Sequence, residues 1–256
     1  MRQRLLLTNV LVLLCGTTLF GQYRFPIDMS TTDSISVQQD LKNFAAHAGV
    51  HVGDIPGFVF QQDREFPRIQ FYYEQGTAYS FTESRYAENP ENGFTSLGMF
   101  TGIGDLTSNL QLILRYNPIL LENHALVLNG YGARYRSGVG TDSLHALALG
   151  VLVQKIAGDE PFFTKHLDFS VQYGLFLRPW IFRADIVASY INGRLDLSNA
   201  TALDPGYDGT FKERVIHGST ALYYQWQRMT TGVTLRTTGK IWNIQGTIGW
   251  SLPSNF

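Results

Sequence analysis

Leu106-Thr107-Ser108-Asn109-Leu110-Gln111-Leu112-Ile113-Leu114-Arg115-Tyr116 is the stretch that decides the fold. In an extended chain Leu106, Ser108, Leu110, Leu112, Leu114 and Tyr116 share one face, and Thr107, Asn109, Gln111, Ile113 and Arg115 share the other. Successive side chains of a strand point to opposite sides, so this reads as a long strand with one greasy and one mostly polar face. The same writing returns at 167–177 and 241–252.

Outward from it, alternation predicts strands at 69–83, 94–101, 106–116, 124–136, 144–155, 167–178, 180–192, 213–226, 229–238 and 241–252. Several reach the ten or so residues that a tilted strand needs to cross a bilayer, whereas strands in soluble sheets average about five or six. The connections agree. If both ends of the barrel lie in the periplasm, the 193–212 and 157–166 loops fall outside and the tight Arg178-Pro179 and Gln227-Arg228 turns fall inside. Short periplasmic turns and longer external loops are the usual asymmetry. The expected fold class is all-β: a closed antiparallel transmembrane β-barrel of about ten strands, with eight to twelve admitted, preceded by a short helix.

A soluble β-sandwich also alternates apolar and polar residues. Strand length and composition favour the barrel. Charged residues make up 16% of the 256-residue chain, against about 25% in soluble domains. A sparse charge content suits a surface facing lipid, where a midplane Arg or Lys costs roughly 2–4 kcal/mol. The net charge of −1 gives no electrostatic basis for binding nucleic acid. Tyr116, Tyr135, Trp180, Tyr190, Trp226, Trp242 and Trp250 fall near strand ends, where aromatic girdles meet the membrane interface.

Residues 1–21 read as a secretory signal: Arg2 and Arg4, an apolar core at 5–14, and Gly21 before Gln22. The only cysteine, Cys15, lies within it, so the mature chain is expected to hold no disulfide and no thiol site. Residues 22–66 form an N-terminal segment. Within it 34–48 turns helical, with Val37, Leu41, Phe44, Ala45 and Ala48 on one face, Ser36 and Gln39 at capping-box spacing, and Gly49 as the stop. Two placements are open for this helix, a plug in the barrel mouth or a periplasmic cover over one end, and the cover is preferred. The stretch 50–66, with Gly53, Pro56 and Gly57, reads as a loop, and 67–256 as the barrel.

The run Thr101-Gly102-Ile103-Gly104-Asp105-Leu106-Thr107, leading into a strand that ends Leu-Arg-Tyr, resembles the outer-membrane family associated with meta-pathway phenol degradation. That family typically reads Gly-Leu-Gly-Asp-Leu-Thr and then a strand ending Lys-Tyr-Arg. Residues 140–154 are similar to it as well, whereas Asn109 and the shorter N-terminal part depart from it. The resemblance implies an outer-membrane barrel and uptake of small, often hydrophobic, solutes. Read from the residues alone, Gly102, Gly104 and Asp105 make a turn, the glycines taking positive φ and Asp105 bonding turn amides.

The polar faces place Arg115, Arg134, Asp168, Arg183 and Asp185 along the lumen. Opposed charges there either select solutes or fill a narrow barrel as ion pairs. His217 and Ser219, two apart on one strand, share a face. A His-Ser pair serves hydrolysis only when a third group orients the ring, and Gln225 and Gln227 are the nearest candidates. No His/Cys/Asp/Glu cluster has metal spacing, and Gly-x-Gly-Asp is followed by a strand rather than the helix of a phosphate loop, so no cofactor is expected. The C-terminal strand closes with Trp250, Leu252, Pro253 and Phe256. A terminal aromatic resembles the signal read by the outer-membrane assembly machinery.

The expectation is a cell outer-membrane barrel whose partners are lipid, that machinery and a small solute. It would act as a channel or transporter. The alternatives are a non-conducting barrel that presents its loops and, more remotely, a lipid hydrolase using His217 and Ser219.

Overall fold

The computed structural model describes residues 34–57, 69–80, 94–95, 99–121, 124–139, 144–158, 162–195 and 209–252. The expected signal sequence with Cys15, residues 22–33, and Pro253 to Phe256 lie outside them. Among the described residues one helix, α1 (Ser34–Val52), precedes eleven strands. These are β1 (Ile69–Ser80), β2 (Phe94–Thr95), β3 (Met99–Asp105), β4 (Leu110–Leu121), β5 (His124–Val139) and β6 (His145–Gly158). They continue with β7 (Phe162–Leu177), β8 (Trp180–Leu195), β9 (Thr210–Trp226), β10 (Met229–Thr237) and β11 (Ile241–Leu252).

From β3 to β11 each strand pairs antiparallel with the next, β3 also pairs with β1, and β11 returns to β1 in register from Ile69↔Leu252 to Ser80↔Ile241. That seam closes the sheet. β2 and β3 both pair with the same side of β1, so they are two pieces of one stave and the barrel has ten. Closure leaves no unpaired edge, which is what lets strands cross lipid. Among the described residues no helix is long and apolar enough to do so.

The two faces separate by parity. On β8, Ile181, Arg183, Asp185, Val187, Ser189 and Ile191 are buried, while Phe182, Ile186 and Tyr190 are exposed. The outer wall carries Leu114, Leu149, Val171, Ile186, Ile216 and Val233, all large, apolar and exposed. Water would not tolerate such a belt; hydrocarbon does. Tyr135, Trp180, Trp226 and Trp250 are exposed near strand ends, where amphipathic rings suit the interface.

Several boundaries differ from the sequence expectation. β6 through β9 run longer, so the 157–166 and 193–212 loops shrink to 159–161 and 196–209. β4 begins at Leu110, not Leu106. Residues 106–109 are instead the turn between β3 and β4, closed by Leu106 N–H to Leu110 O at 2.8 Å. The Thr107 hydroxyl accepts from the amides of Asn109 and Leu110 at 3.2 and 3.0 Å. Gly102, Gly104 and Asp105 therefore belong to β3 and make no turn. Neither glycine has a positive φ. Asp105 points into the barrel, where its carboxylate accepts from Gln111 Nε2 at 2.5 Å and pairs with Arg136 at 3.3 Å.

The two ends of the barrel are unlike. One carries the connections 106–109, 140–144, 178–179 and 227–228, together with Ile69 and Leu252. The other carries 81–93, 122–123, 159–161, 196–209 and 238–240. Connection length makes the first end periplasmic and the second external.

Candidate functional site

The lumen holds its own N-terminal segment. α1 continues past Gly49 to Val52 and lies against the inner face of β8 and β9. Its seat explains its composition. A Cβ on Gly49 would fall 2.9 Å from Ile191 Cδ1, and one on Gly53 would fall 2.8 Å from His217 Cε1 and 3.0 Å from Ser189 Oγ. The glycine that looks like a helix stop is there for close approach to the wall. Leu41, Ala45, Ala48, Val50 and Val52 are buried. The helix is thus a plug and not a periplasmic cover.

Beyond the helix, residues 53–57 run through the lumen without a strand to pair with. Their backbone acceptors still need donors, because a buried unsatisfied carbonyl is costly. Wall side chains supply them. Arg115 donates to the carbonyls of Val52 and, at 2.5 Å, of Asp54. Gln154 Nε2 donates to Val52 O at 2.8 Å. The Ile55 carbonyl accepts from Arg183 at 2.8 Å and from Gln172 at 3.1 Å, and the Gly57 carbonyl from Arg134 at 2.7 Å. Ile55 itself enters an apolar pocket with Tyr72, Ile103, Ile113 and Leu152.

Asp54 is the centre of the charge. Its carboxylate pairs with Arg183 Nη2 at 2.5 Å and with Arg236 Nη2. Glu74 lies between Arg236 at 3.4 Å and Arg115 at 3.6 Å, and Asp185 pairs with Arg183 Nε at 2.8 Å. Gln154 holds Asp168 at 2.7 Å. Apart from the Asp105–Arg136 pair, the described wall buries four arginines (115, 134, 183, 236) against three carboxylates (Glu74, Asp168, Asp185). Asp54 is the fourth negative charge. Arg236 and Arg183 reach its carboxylate directly, and Arg115 grips its carbonyl beside them. Ion clusters in a dry interior are tolerated only when each member has several partners, and these do.

The structure thus places Arg115, Arg134, Asp168, Arg183 and Asp185 on the inner wall, and all five bind the plug or its direct partners. His217 and Ser219 are buried on the same wall. The Ser219 hydroxyl donates to Asp185 at 2.7 Å, not to His217, whose ring packs beside Gly53. A serine so committed, under a plug, is not poised for nucleophilic attack. Among the described residues no group of three His, Cys, Asp or Glu could hold a metal ion. Asp54, Glu74, Arg236 and Gln154 complete the site without having been singled out in sequence. For Glu74 and Arg236 the usable signal is parity, since Glu74 shares the inward face with Gln70 and Tyr72, and Arg236 with Thr234.

A closed sheet, an apolar outer belt and a polar interior define a transmembrane β-barrel of the outer membrane, filled by its own N-terminal segment. The chain matches no family model and no curated protein in sequence. Among solved structures it is similar to the translocator domain of the autotransporter NalP from Neisseria meningitidis, at 7% identity and TM-score 0.39, covering 86% of this chain and 97% of that one. It is also similar to the KdgM porin in complex with disordered oligogalacturonate, at 7% identity and TM-score 0.37, covering 72% and 99%. A third is Ail of Yersinia pestis with the heparin analogue sucrose octasulfate, at 6% identity and TM-score 0.33, covering 73% and 97%. Likeness at this level says nothing of what this barrel carries.

Proposed function

We propose that the protein is a small-solute channel of the outer membrane, held shut by residues 34–57. The observation that supports this is the kind of grip on residues 52–57. Arg115, Arg134, Gln154, Gln172, Arg183 and Arg236 hold backbone carbonyls and one carboxylate, groups whose place water or a polar solute can take bond for bond. The short Gly102–Tyr116 resemblance suggests a hydrophobic solute; the guanidinium-rich wall favours a polar or anionic one. Lipid around the barrel and the assembly machinery at β11 are its other partners in this reading.

The rival is a non-conducting barrel that presents its external loops. It draws on the same network, which satisfies so many of its own members. Planar-bilayer recordings of the full chain beside a variant lacking residues 34–57 separate the two. The full chain should stay mostly closed, and the shortened barrel should conduct steadily with a preference for anions. A shortened barrel that folds, as read by heat-dependent gel mobility, yet passes no current would overturn the channel.

A further inference from the structure

We infer that the N-terminal end of α1 stands at the cell exterior, so that the helix threads the lumen from the outer face inwards and presents its first turns on the cell surface. The inference holds whether or not the barrel conducts, because it rests on the direction in which the plug runs.

Two walls report that direction independently. Gly49 lies against Ile191 and Val215, and Gly53 against Ser189 and His217. β8 rises from Trp180 at the periplasmic end, so the step from Ile191 to Ser189 descends. β9 falls from Thr210 at the external end, so the step from Val215 to His217 descends too. On the opposite wall Val52 O meets Arg115, whose cross-strand partner is Gly130, whereas Gly57 O meets Arg134. β5 runs from external His124 to periplasmic Val139, so Arg134 is the lower of the two levels. Gly57 then abuts Tyr72, close to the periplasmic start of β1. From helix to Gly57, the chain travels from outside to inside.

Length agrees with that direction. Ser34 stands fifteen residues above Gly49, about 22 Å along a helix. β8 reaches only four residues above Ile191, to Leu195, about 13 Å at most. The first turns of α1 therefore pass beyond the rim of the strand they lie on, and Gln38 and Gln39 in those turns are exposed. The side chain of Gln39 bonds Asn43 on the helix itself at 3.2 Å.

The chain's sole cysteine is Cys15, so single cysteines placed elsewhere can be read against the parent as background. The test is labelling of intact cells with a membrane-impermeant maleimide. Gln38→Cys is compared with Lys240→Cys in the external 238–240 turn and Arg228→Cys in the periplasmic 227–228 turn, both exposed positions. Gln38→Cys should label as fully as Lys240→Cys, and Arg228→Cys only after the outer membrane is permeabilised. Should Gln38→Cys fail to reach the membrane, Gln39→Cys takes its place. Labelling of the helix position only after permeabilisation overturns the inference. So does a result in which Arg228→Cys labels on intact cells and Lys240→Cys does not, since the barrel would then be inserted the other way up.

Discussion

The ring of Tyr72 fills the space into which a side chain at position 57 would project. Gly57 has φ 67°, and a Cβ built on it would fall 2.3 Å from both Cζ and Oη of Tyr72. Gly57 is the last described residue of the plug, so the fit of one glycine to one tyrosine sets where that run of backbone lies against β1.

Gly57→Ala is therefore expected to unseat this end of the plug. The left-handed backbone alone costs a non-glycine residue about 1–2 kcal/mol, and the overlap with Tyr72 adds to it. Because the ten staves stay paired, the barrel should still form. Bilayer recordings should show more frequent openings than in the parent, with little change in heat-dependent gel mobility. Gly57→Ala indistinguishable from the parent in both would count against the plug's seat.

Asp54→Asn removes the one negative charge that the plug brings to Arg115, Arg183 and Arg236. Stripping one partner from a buried ionic network typically costs about 3–5 kcal/mol. We expect an earlier thermal transition and a less firmly held plug. A double change with Arg236→Gln should cost less than the two single changes summed, since the second removes a cation that the first leaves without its carboxylate. Strict additivity would mean the pair is not coupled.

Ile186 lies near the middle of β8 and is 65% exposed on the outer wall. An arginine there should cost roughly 2–4 kcal/mol, while one at outward-facing Asn192, near the external rim, should cost about 0–1 kcal/mol. Folded yield in lipid vesicles measures the difference. Equal tolerance would argue that β8 does not face hydrocarbon.

Strand phase was legible in the sequence because alternation needs no knowledge of neighbours. The parity that faces Leu114 outward puts Arg115 inward, and the same rule places Arg183 and Asp185. Boundaries were less legible. Leu106 to Asn109 alternates as well as any strand does, and the backbone bond from Leu106 to Leu110 together with the bonds to the Thr107 hydroxyl turns it. The plug was hardest to see. Gly53, Pro56 and Gly57 spell a loop, and so the backbone is; its role comes from carbonyls, which every residue possesses and no pattern marks. Only Asp54 carries a side-chain sign of it, and a lone aspartate among loop residues looks like ordinary solvent-facing polarity.

Redundancy is distributed unevenly between wall and plug. Three guanidinium groups converge on the Asp54 region, and Arg183 and Arg236 each have a second carboxylate, Asp185 or Glu74, to fall back on. Substitution of any one of them leaves the others in place, so the wall can drift one position at a time. The plug has no such reserve. Asp54 is the one carboxylate it brings to those arginines, and a change there alters both guanidinium pairings at once, leaving the grip on its backbone carbonyls.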